Sequence, residues 1–179
     1  IVVGVIRIFG FSMAFAYTGV FLSELNMNYT QMGMAFGLAA LLEIPFFFNG
    51  EKLIKHFGGK KLMVTGLSIQ ILRLALFYLF PHVGTPYFYV AVQLLMGLGF
   101  CLYLIGYVHI LNRIAPRELK ASYQNIYYVF TAFASIFSGF TASFIVKYWG
   151  THAPMGICCS ILLIALGYMI IKLKVPKVI

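Results

Sequence analysis

Two stretches decide the fold: MAFGLAALLEIPFFFN at residues 34–49 and LMVTGLSIQILRLALFYLF at residues 62–80. Each is an apolar run broken by one ionisable residue, Glu43 in the first and Arg73 in the second. A helix of about 20 apolar residues crosses the roughly 30 Å hydrocarbon core of a bilayer. A charge at the centre of such a helix costs about 2.5–3.5 kcal/mol on insertion scales, so a charge kept there marks a candidate functional site. The chain has only 4 acidic residues, none of them aspartate, and it has placed one where ionisation is hardest.

The rest of the chain extends the pattern. Hydrophobic residues make up 62% and charged residues 9% of the sequence, with a mean hydropathy of +0.95. A soluble domain carries about 25% charged residues. Six membrane helices are expected at about 1–22, 31–49, 62–80, 87–112, 121–146 and 154–171, forming a single all-α bundle over 1–179. Breaker residues Pro81, Gly84 and Pro86 separate the third and fourth. The start at Ile1 suggests a processed chain or a fragment, and the first segment is too long and aromatic for a signal peptide.

Charge distribution sets the expected orientation. Lys52, Lys55, Lys60, Lys61, Arg113, Arg117, Lys120, Lys172, Lys174 and Lys177 fall in alternate connections or the tail, and the opposite connections hold only Lys147. This is the positive-inside bias, and it predicts both ends of the segment in the cytoplasm. It also accounts for the net charge of +9 without nucleic acid as a partner. Tyr87, Tyr89, Tyr148 and Trp149 then fall at the outer interface, where amphipathic rings settle. Cys101, Cys158 and Cys159 lie within spans and complete no metal set, so they read as small packing residues.

Depth brings the two charges close. At 1.5 Å per residue, Glu43 lies about 10 Å and Arg73 about 18 Å from the basic side, and a long arginine bridges that offset if the helices face each other. A structural ion pair and a substrate or proton site are the two readings. Burial favours a neutral carboxyl and a nearby arginine a charged one, so a movement that separates them would load or release a proton. Pro45 removes a backbone donor beside Glu43 and favours a bend.

Two further faces suggest a cavity. Gln93, Met96, Phe100, Tyr103 and Tyr107 share one face of the fourth helix, and Gln124, Tyr128, Thr131, Ser135 and Ser138 one face of the fifth. Mixed aromatic and polar linings suit a small organic solute. Gly33 and Gly37, and Ser135, Gly139 and Ser143, make small-residue stripes expected to pack helices closely. His109 lies near a basic loop, and His56, His82 and His152 in loops or at span ends. Asn125 lies near the basic end of its helix. Arg7 is close enough to the start of the first helix to snorkel. No phosphate loop, zinc-protease helix or nucleophile elbow is present, so an enzyme is not expected.

The loop at 50–61, GEKLIKHFGGKK, resembles the loop motif of the major facilitator superfamily in Gly50, Lys55, Gly58, Lys60 and Lys61. It has Lys55-His56 where that family has an Asp-Arg pair, a departure that resembles the C-terminal half of such proteins. Leu42-Glu43-Ile44-Pro45, Leu72-Arg73, Gln93-Leu94-Leu95-Met96-Gly97 and Asn112-Arg113-Ile114-Ala115-Pro116 are similar to the branch of galactoside permease and related proton symporters. The resemblance implies six helices as 3+3 inverted repeats, half of a twelve-helix transporter of a bacterial inner membrane. It implies a sugar-binding role for Glu43 and a proton-relay role for Arg73. Met96 and Gly99 stand where that permease has a histidine and a glutamate, and neither titrates.

The expected function is secondary active transport of a small organic solute, proton-coupled, by alternating access. No cofactor is expected beyond the proton as coupling ion. The expected partners are membrane lipid, the solute and a second six-helix half. Facilitated diffusion or efflux on the same fold is the first alternative, and a non-transporting scaffold or receptor the second.

Overall fold

The computed structural model describes residues 2–81 and 85–172. Ile1, His82, Gly84, Lys174, Lys177 and the Arg117 side chain, all read above from sequence, lie outside the described residues. The elements are α1 (Val2–Glu24), α2 (Tyr29–Phe48), α3 (Gly50–Phe57), α4 (Gly59–Leu79), α5 (Pro86–Ile114), a 3-10 turn (Arg117–Leu119), α6 (Lys120–Trp149) and α7 (Ala153–Lys172). Among the described residues, 6 of these helices are long and apolar enough to cross a membrane: α1, α2, α4, α5, α6 and α7.

Local chemistry sets the ends. The Gln31 amide donates to Asn28 Oδ1 at 2.8 Å, and the Asn28 amide donates back to Gln31 Oε1 at 3.0 Å. This capping box satisfies two amides that the first turn of α2 leaves over. Asn28→Ala is expected to cost about 1 kcal/mol, measurable as a small fall in thermal unfolding temperature. Pro86 opens α5 at a position where a missing amide costs nothing.

The connection at 50–61, expected as a loop, is mostly helix. α3 buries the side of Leu53 and Ile54 against Leu62, Cys101, Leu102 and Ile105 and exposes Lys52, Lys55 and His56. Glu51 in its first turn and Lys55 and His56 in its last complement the helix dipole. Gly58, at φ 77°, supplies the left-handed residue that turns the chain into α4.

The packing has an internal twofold pattern. α1 packs on α6 and α7, α5 packs on α2 and α4, and α4 packs on α7. Exchanging α1 with α5, α2 with α6 and α4 with α7 leaves this pattern unchanged. Three spans repeat the previous three in inverted sense.

In lipid, apolar surface gains little by leaving one hydrocarbon for another, so close backbone approach holds helices together. The tightest seam joins α4 and α5. A Cβ on Gly66 would run into the Tyr103 amide nitrogen and the Gly99 carbonyl, and one on Gly106 would lie 2.5 Å from the Gly59 carbonyl. Gly97 meets α2 in the same way, at the Ala39 carbonyl. The stripes expected to do this work do not: a Cβ added to Gly33, Gly37 or Gly139 would meet no other element within 4 Å among the described residues, and Ser143 is exposed. Gly33, Gly37 and Ser143 lie on outward faces of α2 and α6, while Ser135 is half-buried. Tyr87, Tyr148 and Trp149 are exposed near span ends as expected, but Tyr89 is core, its hydroxyl donating to the Phe80 carbonyl at 3.2 Å.

Candidate functional site

Arg73 lies on the α4 face that also carries Gly66, Gln70 and Phe77, all buried against neighbouring helices. Its Nε and Nη2 both donate to Gln93 Oε1 of α5, at 3.1 and 2.9 Å. Nη2 also donates to Thr18 Oγ1 of α1 at 3.3 Å, and that hydroxyl donates to the Ala14 carbonyl at 2.8 Å. The Phe77 ring centroid lies 5.0 Å from the guanidinium carbon. Gln93 Nε2 donates to Met96 Sδ at 3.2 Å. Arg73, Gln93 and Thr18 are 1%, 0% and 0% exposed, so the charge on α4 is sealed among neutral acceptors on two other helices.

Glu43 is not one of those acceptors. Ala35 and Ala39 of α2 are fully buried, and Glu43 continues their stripe at four-residue spacing. Its Cγ lies beside Gly97 of α5, where an added Cβ would come within 3.3 Å. The side chain is half-buried, and its carboxylate makes no ion pair or hydrogen bond among the described residues. The Glu43–Arg73 pair anticipated from depth is therefore not formed. Nearness in depth does not bring the two side chains together, because Arg73 turns to Gln93 and Thr18 while Glu43 lies beside Gly97.

The expected cavity residues divide. Gln93 and Tyr103 are core side chains at 0% exposure rather than walls of an open space. Met96, Phe100, Gln124 and Ser135 are half-buried, Thr131 is buried and Tyr128 is exposed. Gln124 Nε2 donates to Asn112 Oδ1 at 2.9 Å, tying α6 to α5. Ser135 and Ser12 join α6 to α1 through their hydroxyls at 3.0 Å. The face of α6 thus turns mainly to α1, not α5. In the loop motif, Gly50 packs on Ile105, Lys55 is exposed on α3, Lys60 Nζ donates to the Ile170 carbonyl at 3.1 Å and Lys61 is exposed.

One major polar element escaped the sequence reading. Arg7 does not snorkel; it is 2% exposed. Its Nε donates to Gln70 Oε1 of α4 at 3.3 Å. The rings of Tyr103, Phe11 and Phe100 have centroids 4.5, 4.9 and 5.3 Å from its guanidinium carbon. Gln70, one turn before Arg73, carried the available signal: a buried neutral amide in an apolar span needs a partner. Tyr103 stacks on Tyr107 at 5.9 Å, and Tyr107 meets Tyr127 at 4.4 Å. Gly4 lets the Tyr127 ring lie directly on the α1 backbone, where any Cβ would collide.

Comparison with known sequences gives the context. The family description "Major Facilitator Superfamily" matches residues 1–178. The chain is also similar to an uncharacterized transporter of Bacillus subtilis (strain 168), YwbF, at 23% identity over 133 residues. That match covers 74% of this chain and 33% of the relative, so the chain spans well under two thirds of that protein's length.

Proposed function

Because the chain belongs to the Major Facilitator Superfamily, we propose that it is the C-terminal half of a proton-coupled symporter that moves a small organic solute by alternating access. Membership makes it a transport protein and not an enzyme. The observation that carries the proton assignment is Glu43. It is a mid-span carboxyl, half-buried at the α2–α5 seam beside Gly97, without an ion-pair partner among the described residues. A group so placed changes its proton affinity whenever that seam opens or closes. Arg73, held by Gln93 and Thr18, serves the bundle rather than the proton.

A second six-helix half completes the transporter. Alternating access works by one repeat or bundle moving against another. The outward faces of α2 (Leu38, Leu41, Ile44) and α6 (Phe133, Phe137, Phe140) are large, apolar and exposed here. α2 and α6 are also exchanged by the internal twofold, so they present equivalent surfaces to a partner half and to lipid. The lysine-rich end, with Lys52, Lys55, Lys61 and Lys172, faces the cytoplasm in this reading, by the positive-inside rule. The resemblance to galactoside permease supports a bacterial inner membrane and a branch whose titrating histidine and glutamate correspond here to Met96 and Gly99. Glu43 then carries coupling alone on this half.

The test is Glu43→Gln in the native protein, reconstituted in proteoliposomes. Accumulation driven by an imposed pH gradient is expected to disappear while solute exchange at equal concentration continues. Undiminished accumulation in the variant would remove Glu43 from the coupling mechanism and favour facilitated diffusion or coupling elsewhere.

A further inference from the structure

The two buried arginines differ in what they lack. Arg73 leaves no buried nitrogen without a partner. Around Arg7, by contrast, four buried polar atoms have no hydrogen-bond partner among the described residues: Arg7 Nη2, Gln70 Nε2 and the hydroxyl oxygens of Tyr103 and Tyr107. Their side chains are 2%, 1%, 0% and 6% exposed. Buried polar groups in native proteins are almost always paired, so a cluster of unpaired ones calls for an explanation.

The cluster is chemically one-sided. Guanidinium and amide nitrogens only donate, and a phenol hydroxyl can do so. It holds one positive charge, and none of the 4 acidic residues balances it. Glu24 is bound by the Thr151 hydroxyl at the end of α1, Glu43 lies beside Gly97, Glu51 is on α3 and Glu118 is in the 3-10 turn. A structural arginine would be expected to have found acceptors, as Arg73 has.

Shape narrows the missing acceptor. Phe11, Phe100 and Tyr103 stand around the guanidinium, and Gln70 takes its Nε. The remaining N–H groups lie in the guanidinium plane, where the fork fits a planar carboxylate edge-on. One charge matches a monoanion, whereas a dianion would leave an uncompensated buried charge. Phe11 stacks on Phe15 at 5.6 Å, and Phe15 is 44% exposed, so a run of apolar rings leads from the guanidinium to the surface.

We propose that Arg7, with Gln70 and Tyr103, binds the carboxylate of an organic monocarboxylate whose apolar body lies along Phe11 and Phe15. This deepens the transport reading by naming the solute class, and it depends on that reading only for the step of crossing the membrane. The cage is closed in this conformation, so Phe11 swings aside to admit the ligand.

The test uses the purified native protein in lipid nanodiscs with acetate, butyrate and benzoate, each paired with its uncharged amide. At least one carboxylate is expected to bind saturably, raising the unfolding temperature, while its amide does not. For that carboxylate, equilibrium binding is expected to weaken about a hundredfold in Arg7→Gln. Arg7→Lys keeps the charge but not the fork and is expected to recover only part of the loss. Equal behaviour of acid and amide, no binding across the series, or unchanged affinity in Arg7→Gln would overturn the proposal. The acid–amide comparison needs no variant, so it stands even if Arg7→Gln fails to fold. Carboxylate binding without uptake into proteoliposomes keeps the site and removes the transport reading. Uptake of another solute without carboxylate binding does the reverse.

Discussion

Arg73→Ala is expected to destabilise the bundle by about 3–5 kcal/mol, the range for breaking a buried charged interaction. The loss has identifiable parts. Gln93 Oε1 loses both of its donors, and Thr18 Oγ1 loses one. Gln93 and Thr18 are both 0% exposed, so water cannot replace the guanidinium without entering the core. A cavity also opens beside Phe77, which is buried. Thermal unfolding of the native protein in nanodiscs measures the effect. A double-mutant cycle with Gln93→Ala separates its parts: the pair should couple by about 0.5–3 kcal/mol. An Arg73→Ala protein that unfolds like wild type but loses proton-driven accumulation would reverse the assignment and return Arg73 to the proton pathway.

How much of this was legible in the sequence depends on direction. Along the membrane normal the sequence is informative: span length, loop charge and turn residues report depth, and the six spans and their inverted repeat agree with the structure. Around each helix axis it is nearly silent. A lipid-facing residue is as apolar as a core residue, so no periodic contrast marks which face turns inward. Glu43 and Arg73 both lie within membrane-length helices, α2 and α4, yet they are not partners, since depth does not determine azimuth. Gly33 and Gly37 carry the spacing of a packing stripe but face outward, while Gly66, Gly97 and Gly106, with the same small side chain, make the real contacts. Arg7 stands early in the first helix, yet it is buried rather than snorkelling. The structure sets it beside Gln70 and Tyr103, which by helix rise lie about 16 Å inside their own spans. α3 was missed because a short amphipathic helix at an interface has loop-like composition. Of the expected site residues on α5, Gln93 and Tyr103 are buried against arginines rather than open walls.

The α4–α5 seam makes the second large expectation. Gly66→Leu should abolish folding of the bundle or cost well over the roughly 1–3 kcal/mol typical of overpacking. At most core positions an added methyl meets the end of a side chain, which can change rotamer. At Gly66 it meets the Tyr103 amide nitrogen, the Gly99 carbonyl and, at 3.0 Å, the Tyr103 Cα, all of them backbone of α5. Two helices must then separate along their length, and Gly59 and Gly106, in contact on the same seam, are pulled apart with them. The strain also reaches both arginines. Gln70, which holds Arg7, packs by its Cγ against Gly99, where an added Cβ would come within 2.8 Å, and Gln93, which holds Arg73, lies on the same α5. Gly33→Leu adds the same volume where an added Cβ would meet no other element within 4 Å among the described residues. It is expected to leave this bundle's unfolding within about 0.5–1 kcal/mol of wild type, the propensity difference apart from packing. The pair is read by expression of monodisperse protein and by thermal unfolding in nanodiscs. Equal effects at the two sites would mean that close approach of α4 and α5 does not hold the fold together. A large effect at Gly33 with normal folding of the half would instead mark α2 as a buried surface of the assembled transporter.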